Sequence, residues 1–255
     1  MKPAGVHVET CGRGADVVLV HGWAMHSGIW GDFAERLARR YRVTRVDLPG
    51  HGRSAMVADY SLEGLSDALA EAVPVPAHWL GWSLGASIVL ALAGRRPERV
   101  RSVALMAGNP RFWGDADWPG VDRTQLQAFA ADMMESYSVT LSRFLGLQTF
   151  GLDDGRRVLE ALKRRMEAGP QPRPEALRQG LEILLNADLR SHLNDVKHPL
   201  TLVLGARDRL VPAALAAAVE AHSPRVPVHL LPHAAHLPFI TEADACLGLL
   251  TEFWG

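Results

Sequence analysis

Three residues in this chain have the types and settings to make a hydroxyl nucleophilic: Ser83, Asp208 and His236. A serine oxygen attacks poorly until a neutral imidazole takes its proton, and that imidazole needs a carboxylate to fix its tautomer and stabilise its cation. Ser83 is the centre of Gly81-Trp82-Ser83-Leu84-Gly85, a G-x-S-x-G stretch between a short apolar run, His78 to Leu80, and an apolar helical run, Leu84 to Ala93. That context predicts strand, sharp turn and helix. A strained turn thrusts the hydroxyl out of the sheet, and the flanking glycines let strand and helix approach each other. The N–H groups that open the helix have no intrahelical partner, so the Leu84 N–H is available to a developing oxyanion. The competing reading makes Ser83 a helix N-cap in a glycine-shaped turn. The motif alone does not separate the two.

The rest of the chain supplies partners and competitors. Asp208 follows the strand-like run Leu200 to Leu204, and His236 lies in the loop after a short strand, Val228 to Leu231. Asp188 and Asp195 are rival acids, but they precede the penultimate strand, whereas Asp208 follows it. His233 could pair with His236 at a metal, but such a site needs a third ligand and the sequence has no H-E-x-x-H or comparable cluster. The small residues Ala234 and Ala235 beside His236 suit a close approach to the serine. His21, before Gly22 at a strand end, reads as a structural hydrogen-bonding residue ahead of a metal ligand or base.

The elements that must position these groups alternate regularly through the first part of the chain. Val17 to Val20 is a buried strand, Trp30 to Arg40 has helical spacing, and Val43 to Asp47 is a second strand. Leu48 to Ser54 is dense in turn formers and lacks both the P-loop ending and the dinucleotide glycine spacing. A helix over Ser61 to Val73 precedes the Ser83 turn, and Val103 to Ala107 is a further strand. This alternation predicts an α/β fold with a mostly parallel, doubly wound sheet, whose active sites gather at the carboxyl ends of strands. The rhythm breaks at Asn109. Residues 110–186 hold four helical stretches and no convincing strand, and so read as an inserted helical cap, with residues 1–109 and 187–255 forming the core. The cap is expected to exclude water and shape the substrate pocket.

Composition narrows the function classes. The 255 residues are 48% hydrophobic and 22% charged, with a formal net charge of −1, which removes a whole-molecule electrostatic case for nucleic acid or membrane surfaces. Met1 to Asp16 has no apolar run of signal-peptide length and no later segment reaches the length of a membrane span, so a cytoplasmic location is expected. The two cysteines, Cys11 and Cys246, form neither a disulfide framework nor a metal pattern. Charge is nevertheless segregated: Arg156 to Arg178 holds seven basic and three acidic residues, Arg111 to Glu135 two basic and five acidic. A basic helix face is either solvated surface or a dock for an acidic partner.

With these residues in place, the order nucleophile, acid, base resembles the α/β-hydrolase superfamily. Within it the chain is similar nearly end to end to the biotin-biosynthesis carboxylesterases that cleave the methyl ester of pimeloyl-[acyl-carrier protein]. The matching stretches are His21-Gly22-Trp23, Asp47 to Ser54, Gly81 to Gly85, Asp117 to Gly120, Arg143 to Thr149, Gly180 to Leu184 and His236 to Phe239. The resemblance implies Ser83 as nucleophile, Asp208 as orienting acid and His236 as general base, with Trp23 and Leu84 supplying oxyanion N–H groups. It places Trp23, Trp82 and Phe144 in the acyl pocket and Arg143 and Arg156 at the dock of an acyl-carrier protein. Val139 and Glu160 stand at two positions that are basic in that family, and Arg157, Lys163, Arg164 and Arg165 are the candidates to compensate. No cofactor is implied, and a monomer is expected. A general short-chain carboxylesterase without a carrier partner is the nearest alternative. A ligand-binding signal module on the same fold is the alternative from another class.

Overall fold

Short apolar runs such as Val17 to Val20 and Val103 to Met106 build the centre of the computed structural model, which describes residues 5–255 apart from the Met134 side chain. Residues 1–4 of the expected core lie outside the described residues. Strand β1 (Val8–Gly12) precedes β2 (Asp16–Val20), helix α1 (Gly31–Leu37), β3 (Arg42–Val46), α2 (Leu62–Ala72), β4 (Ala77–Trp82), α3 (Leu84–Arg95) and β5 (Val100–Met106). The excursion that follows carries β6 (Trp113–Gly114), β7 (Val121–Asp122), α4 (Arg123–Glu135), α5 (Tyr137–Thr149), α6 (Gly155–Glu167) and α7 (Pro174–Asn186). The chain closes with α8 (His192–Asp195), β8 (Leu200–Gly205), α9 (Leu215–His222), β9 (Val228–Leu231), α10 (Pro238–Thr241) and α11 (Ala243–Trp254).

Seven strands form one sheet in the order β1-β3-β2-β4-β5-β8-β9. Every pairing is parallel except β1 with β3, so the sheet is the mostly parallel α/β sheet that the alternation predicts. Val17 to Val20 are fully buried because β2 is paired on both sides and covered on both faces. Register aligns the strand ends: Val20 pairs with Gly81, Trp82 with Met106, Met106 with Val203 and Gly205 with Leu231. The loops after β2, β4, β8 and β9 therefore leave from one edge. The strand order reverses between β2 and β4, and a crevice at such a reversal is where open α/β sheets hold ligands.

The helices follow from capping and periodicity. The Ser61 hydroxyl accepts the Gly64 N–H at 3.1 Å to start α2, and Leu65 and Leu69, one turn apart, bury its inner stripe. Residues Leu84 to Ala93 of α3 are buried all round, since α3 lies between the sheet and α2. On α11, Cys246, Leu250 and Trp254 repeat every four residues and face inward.

Two details depart from expectation. Strand β1 has the burial pattern of a half-exposed edge and escapes a search for apolar runs. Within 110–186 the bridged pairs Trp113 with Val121 and Gly114 with Asp122 form a two-strand ladder, where no strand is expected. This ladder closes a turn braced by Asn109, which donates to the Pro119 carbonyl at 2.9 Å and accepts the Trp118 indole N–H at 2.8 Å. Among the described residues no helix is long and apolar enough to cross a membrane.

Candidate active site

The turn between β4 and α3 holds Ser83 at φ 56° and ψ −119°, a left-handed strain that a fixed framework must maintain. Backbone packing maintains it. A Cβ on Gly85 would lie 2.4 Å from the Val20 carbonyl oxygen, and one on Gly81 would lie 2.3 Å from the Gly85 carbonyl oxygen. The Ser83 N–H donates to the Met106 carbonyl at 3.0 Å. Ser83 does not cap the helix with its side chain, so the N-cap reading does not describe it.

Its hydroxyl instead lies 2.9 Å from His236 Nε2. His236 Nδ1 lies 2.7 Å from Asp208 Oδ2, with both side chains fully buried. The other Asp208 oxygen accepts the N–H groups of Leu210 and Val211 at 2.8 and 3.0 Å, which fixes the carboxylate plane. His236 is held at its backbone: its N–H donates to the Gln148 carbonyl at 3.3 Å, and its carbonyl accepts the Trp82 indole N–H at 2.7 Å. Of the rival acids, Asp188 pairs with Arg190 at 2.6 Å and Asp195 ends α8. His233 is exposed with Nδ1 3.3 Å from Arg207 Nη2. Among the described residues no three His, Cys, Asp or Glu side chains gather as a metal site.

Ser83 opens onto a cavity of about 220 Å³ with mostly apolar walls. Trp23 and Leu210 come from core loops, whereas Leu126, Phe129, Phe144, Leu147, Leu181 and Leu184 come from the helical excursion. Phe144 and Trp23 meet edge to face at 5.0 Å. Sequence reasoning missed the α4 and α7 wall residues. Their spacing of three along a helix is a visible signal, but it is the signal of any packed helix. A larger cavity of about 460 Å³ between α4 and α7 shares Leu181 and carries Tyr137 and Glu182 in its lining, but none of Ser83, Asp208 and His236 lines it. Trp82 departs from the expected acyl-pocket role: it is absent from the cavity wall and packs on Trp30 and Phe239, 6.5 and 5.2 Å away. Its indole N–H donates to the His236 carbonyl and its ring lies 5.7 Å from the His236 ring, so Trp82 braces the histidine and does not line the cavity.

Leu84 is the first residue of α3 and is fully buried. The Gly22 backbone presses against Ser83, since a Cβ on Gly22 would lie 3.0 Å from Ser83 Cβ. Beneath that loop, His21 donates from Nδ1 to the Gly22 carbonyl at 2.8 Å and accepts the Leu48 N–H at Nε2, 2.9 Å away. With one nitrogen accepting, the ring is neutral, and burial, with His51 nearby, pushes its pKa down to about 3. Burial pulls the Asp47 carboxyl upward, but N–H groups from Arg53 and Ser27 outweigh it and hold the pKa below the usual value. His21 is therefore a strut for the loop that carries Trp23.

The two residues expected at a docking face sit on neighbouring helices, Arg143 on α5 and Arg156 on α6. Arg143 and Arg156 are strongly exposed, each with a carboxylate beside it: Asp132 at 3.5 Å and Glu160 at 3.6 Å. Arg165 does not compensate for the missing basic positions, because it turns inward and donates to the Ile29 carbonyl at 3.2 Å. Arg157 pairs with Asp154.

A strained serine at the end of a parallel strand, a histidine and aspartate from later loops and a seven-stranded sheet define a class, and residues 17–249 match the alpha/beta hydrolase family model. The chain belongs to that family. Its relatives include the pimeloyl-[acyl-carrier protein] methyl ester esterases of Methylococcus capsulatus, 44% identical over 98% of both chains, and Nitrosomonas europaea, 42% identical over 93% of this chain and 95% of the relative. Among solved structures, an esterase from Exiguobacterium antarcticum superposes with a TM-score of 0.87 over 98% of this chain and 96% of its own, at 19% identity. That likeness shows the fold alone.

Proposed function

We propose that this chain is a serine carboxylesterase that hydrolyses the methyl ester of pimeloyl-[acyl-carrier protein], releasing methanol and the free acid still attached to its carrier, as a cytoplasmic monomer. The observation that carries the chemistry is the continuous Ser83–His236–Asp208 hydrogen-bond chain at the wall of an apolar cavity. The substrate comes from relatives that match almost end to end and bear that name.

In this reading His236 is neutral, donates from Nδ1 to Asp208 and accepts the Ser83 proton at Nε2 as the serine oxygen attacks the ester carbon. The tetrahedral oxyanion takes hydrogen bonds from the Leu84 and Trp23 N–H groups, preorganised by the helix start and by the strut beneath the Trp23 loop. The imidazolium then protonates the departing methoxide, leaving an acyl-enzyme and methanol. Water attacks next, its proton going to His236, and the carboxylic acid leaves as the serine oxygen recovers that proton. Residues 110–186 act as the cap: they supply most of the apolar wall, which fits an aliphatic acyl chain and excludes bulk water.

A second reading, a short-chain carboxylesterase without a carrier, is favoured by the carboxylates beside Arg143 and Arg156. Turnover of the carrier-linked methyl ester against the free methyl ester separates the two. A large kcat/KM preference for the carrier-linked substrate, with rescue of a biotin-requiring strain lacking this esterase, supports the first; equal turnover and no rescue overturns it.

A further inference from the structure

Helix α5 and the residue after it expose an unusual amount of apolar surface. Val139, Leu147 and Phe150 are 56%, 41% and 56% exposed, while the same helix sends Phe144 into the cavity with Ser83. Leu147 is both exposed and part of the cavity wall, so it stands at the mouth. Phe150 follows at the end of α5, its N–H donating to the Leu147 carbonyl at 3.4 Å. The Arg209 guanidinium lies over the Phe150 ring, 5.1 Å from its centroid. Arg209 itself is exposed and sits between Asp208 of the hydrogen-bond chain and Leu210 of the cavity wall. One loop of the core and one helix end thus build a cationic, apolar rim beside the opening.

The neighbouring charges differ in one respect. Arg207 is held by the Gly151 carbonyl at 3.1 Å, by Asp153 at 3.3 Å and by His233. Arg143, Arg156 and Arg157 face Asp132, Glu160 and Asp154. Arg209, among the described residues, has no carboxylate within 4.0 Å. An unmatched guanidinium that leans on an exposed ring is held in place yet keeps its donors free, the combination that partner-binding hot spots favour.

We propose that Arg209, stacked on Phe150 beside Leu147, is a docking contact for the acidic face of the carrier protein that delivers the ester. Docking then spans the β8–α9 loop of the core as well as the helical excursion, and the carrier sits directly over the pocket mouth. This inference rests on the carrier-linked substrate proposed above. An acidic carrier is drawn by the unmatched charge, and its apolar surface covers Leu147 and Phe150.

The test uses the full-length protein, a purified acyl-carrier protein bearing the pimeloyl methyl ester, and a short p-nitrophenyl ester. Arg209→Glu should lower kcat/KM for the carrier substrate about tenfold at low salt, chiefly through KM, with Arg209→Lys retaining most of the activity. Added salt should shrink that gap, and Phe150→Ser should show a smaller loss of the same kind. On the p-nitrophenyl ester both variants should stay within about twofold of wild type, because that substrate needs no dock. Equal losses on the two substrates would show that Arg209 acts through Asp208 and overturn the proposal. So would an unaffected carrier reaction in Arg209→Glu while wild type shows salt-sensitive preference for the carrier substrate; that result leaves the proposed function standing. Absence of that preference in wild type overturns the function and the docking site together.

Discussion

Replacing Asp208 by Asn tests the assignment of the acid more sharply than its deletion does. Oδ1 of Asp208 accepts two backbone N–H groups, from Leu210 and Val211, at 2.8 and 3.0 Å. An Asn must put its carbonyl oxygen there, since an NH₂ group would face two donors. The amide nitrogen is then forced onto His236 Nδ1, 2.7 Å away in the native geometry. That nitrogen can only donate, so His236 must leave Nδ1 bare and carry its proton on Nε2, where it can no longer accept from Ser83. The expected loss is about 10⁴-fold in kcat, or about 5 kcal/mol of transition-state stabilisation, as when the orienting acid of other serine hydrolases is neutralised. Asp208→Ala removes more atoms but imposes no tautomer, so it should be no less active than Asn. The assay is steady-state hydrolysis of a short p-nitrophenyl ester by folded protein, with Asp188→Asn as a control near wild type. An Asn variant within tenfold of wild type, or one clearly better than Ala, would refute the tautomer argument.

Other outcomes follow from the same geometry. Ser83→Ala should abolish ester turnover while leaving the melting temperature close to wild type, and persistent turnover in pure protein would remove Ser83 as nucleophile. Gly85→Ala should cost about 3 kcal/mol or prevent folding, because its Cβ would sit 2.4 Å from a backbone oxygen; denaturant unfolding measures it. Burial lowers the pKa of His21 to about 3 and of His51 to about 4. Below pH about 6.5 the unfolded chain takes up protons that these folded rings refuse, so stability should fall with acidification toward pH 4 by up to ~1.4 kcal/mol per pH unit for each ring. His51→Gln should flatten the melting-temperature profile in that window, and an unchanged slope would count against its buried neutral state. Reversing Arg143 and Arg156 together should reduce turnover of the carrier substrate more than that of a small ester. Equal losses would make that face solvated surface.

The sequence made legible those parts of the molecule whose signal is local. β2, β4, β5 and β8 each carry a short apolar run, and each falls within a few residues of its expected bounds. Ser83 was legible because a strained turn needs glycines at fixed offsets, and Asp208 and His236 because they follow strands that a parallel sheet aligns. β1 was not, since an edge strand buries one face weakly and alternates polar residues. Trp82 misled because adjacency to Ser83 in sequence suggests adjacency in the pocket, whereas tertiary packing holds its ring against Trp30, His236 and Phe239. Arg165 misled because a basic helix looks uniformly solvated until tertiary contacts show which residue turns inward.

The core and the helical excursion are mutually dependent in a way that only the three-dimensional structure reveals. Trp23, which lines the cavity with Ser83, donates its indole N–H to the Leu177 carbonyl of α7 at 2.9 Å. His26 of the same loop accepts the Gly28 N–H at Nδ1, so Nε2 carries the proton and donates to the Arg165 carbonyl at the end of α6, 2.9 Å away. The Arg165 guanidinium returns to Ile29, the Arg173 N–H donates to the Gly50 carbonyl at 2.8 Å, and the Gln148 carbonyl holds the His236 N–H. Together these ties join residues 110–186 to the loops after β2, β3 and β9. Displacing those helices as a body would therefore disturb the oxyanion loop and the base together. Leu147 and Phe150 flank the Gln148 tie, but their exposed side chains are no part of it. In the proposed function the tied side of the pocket holds the bond to be cleaved, and the exposed rim is left to meet what carries it.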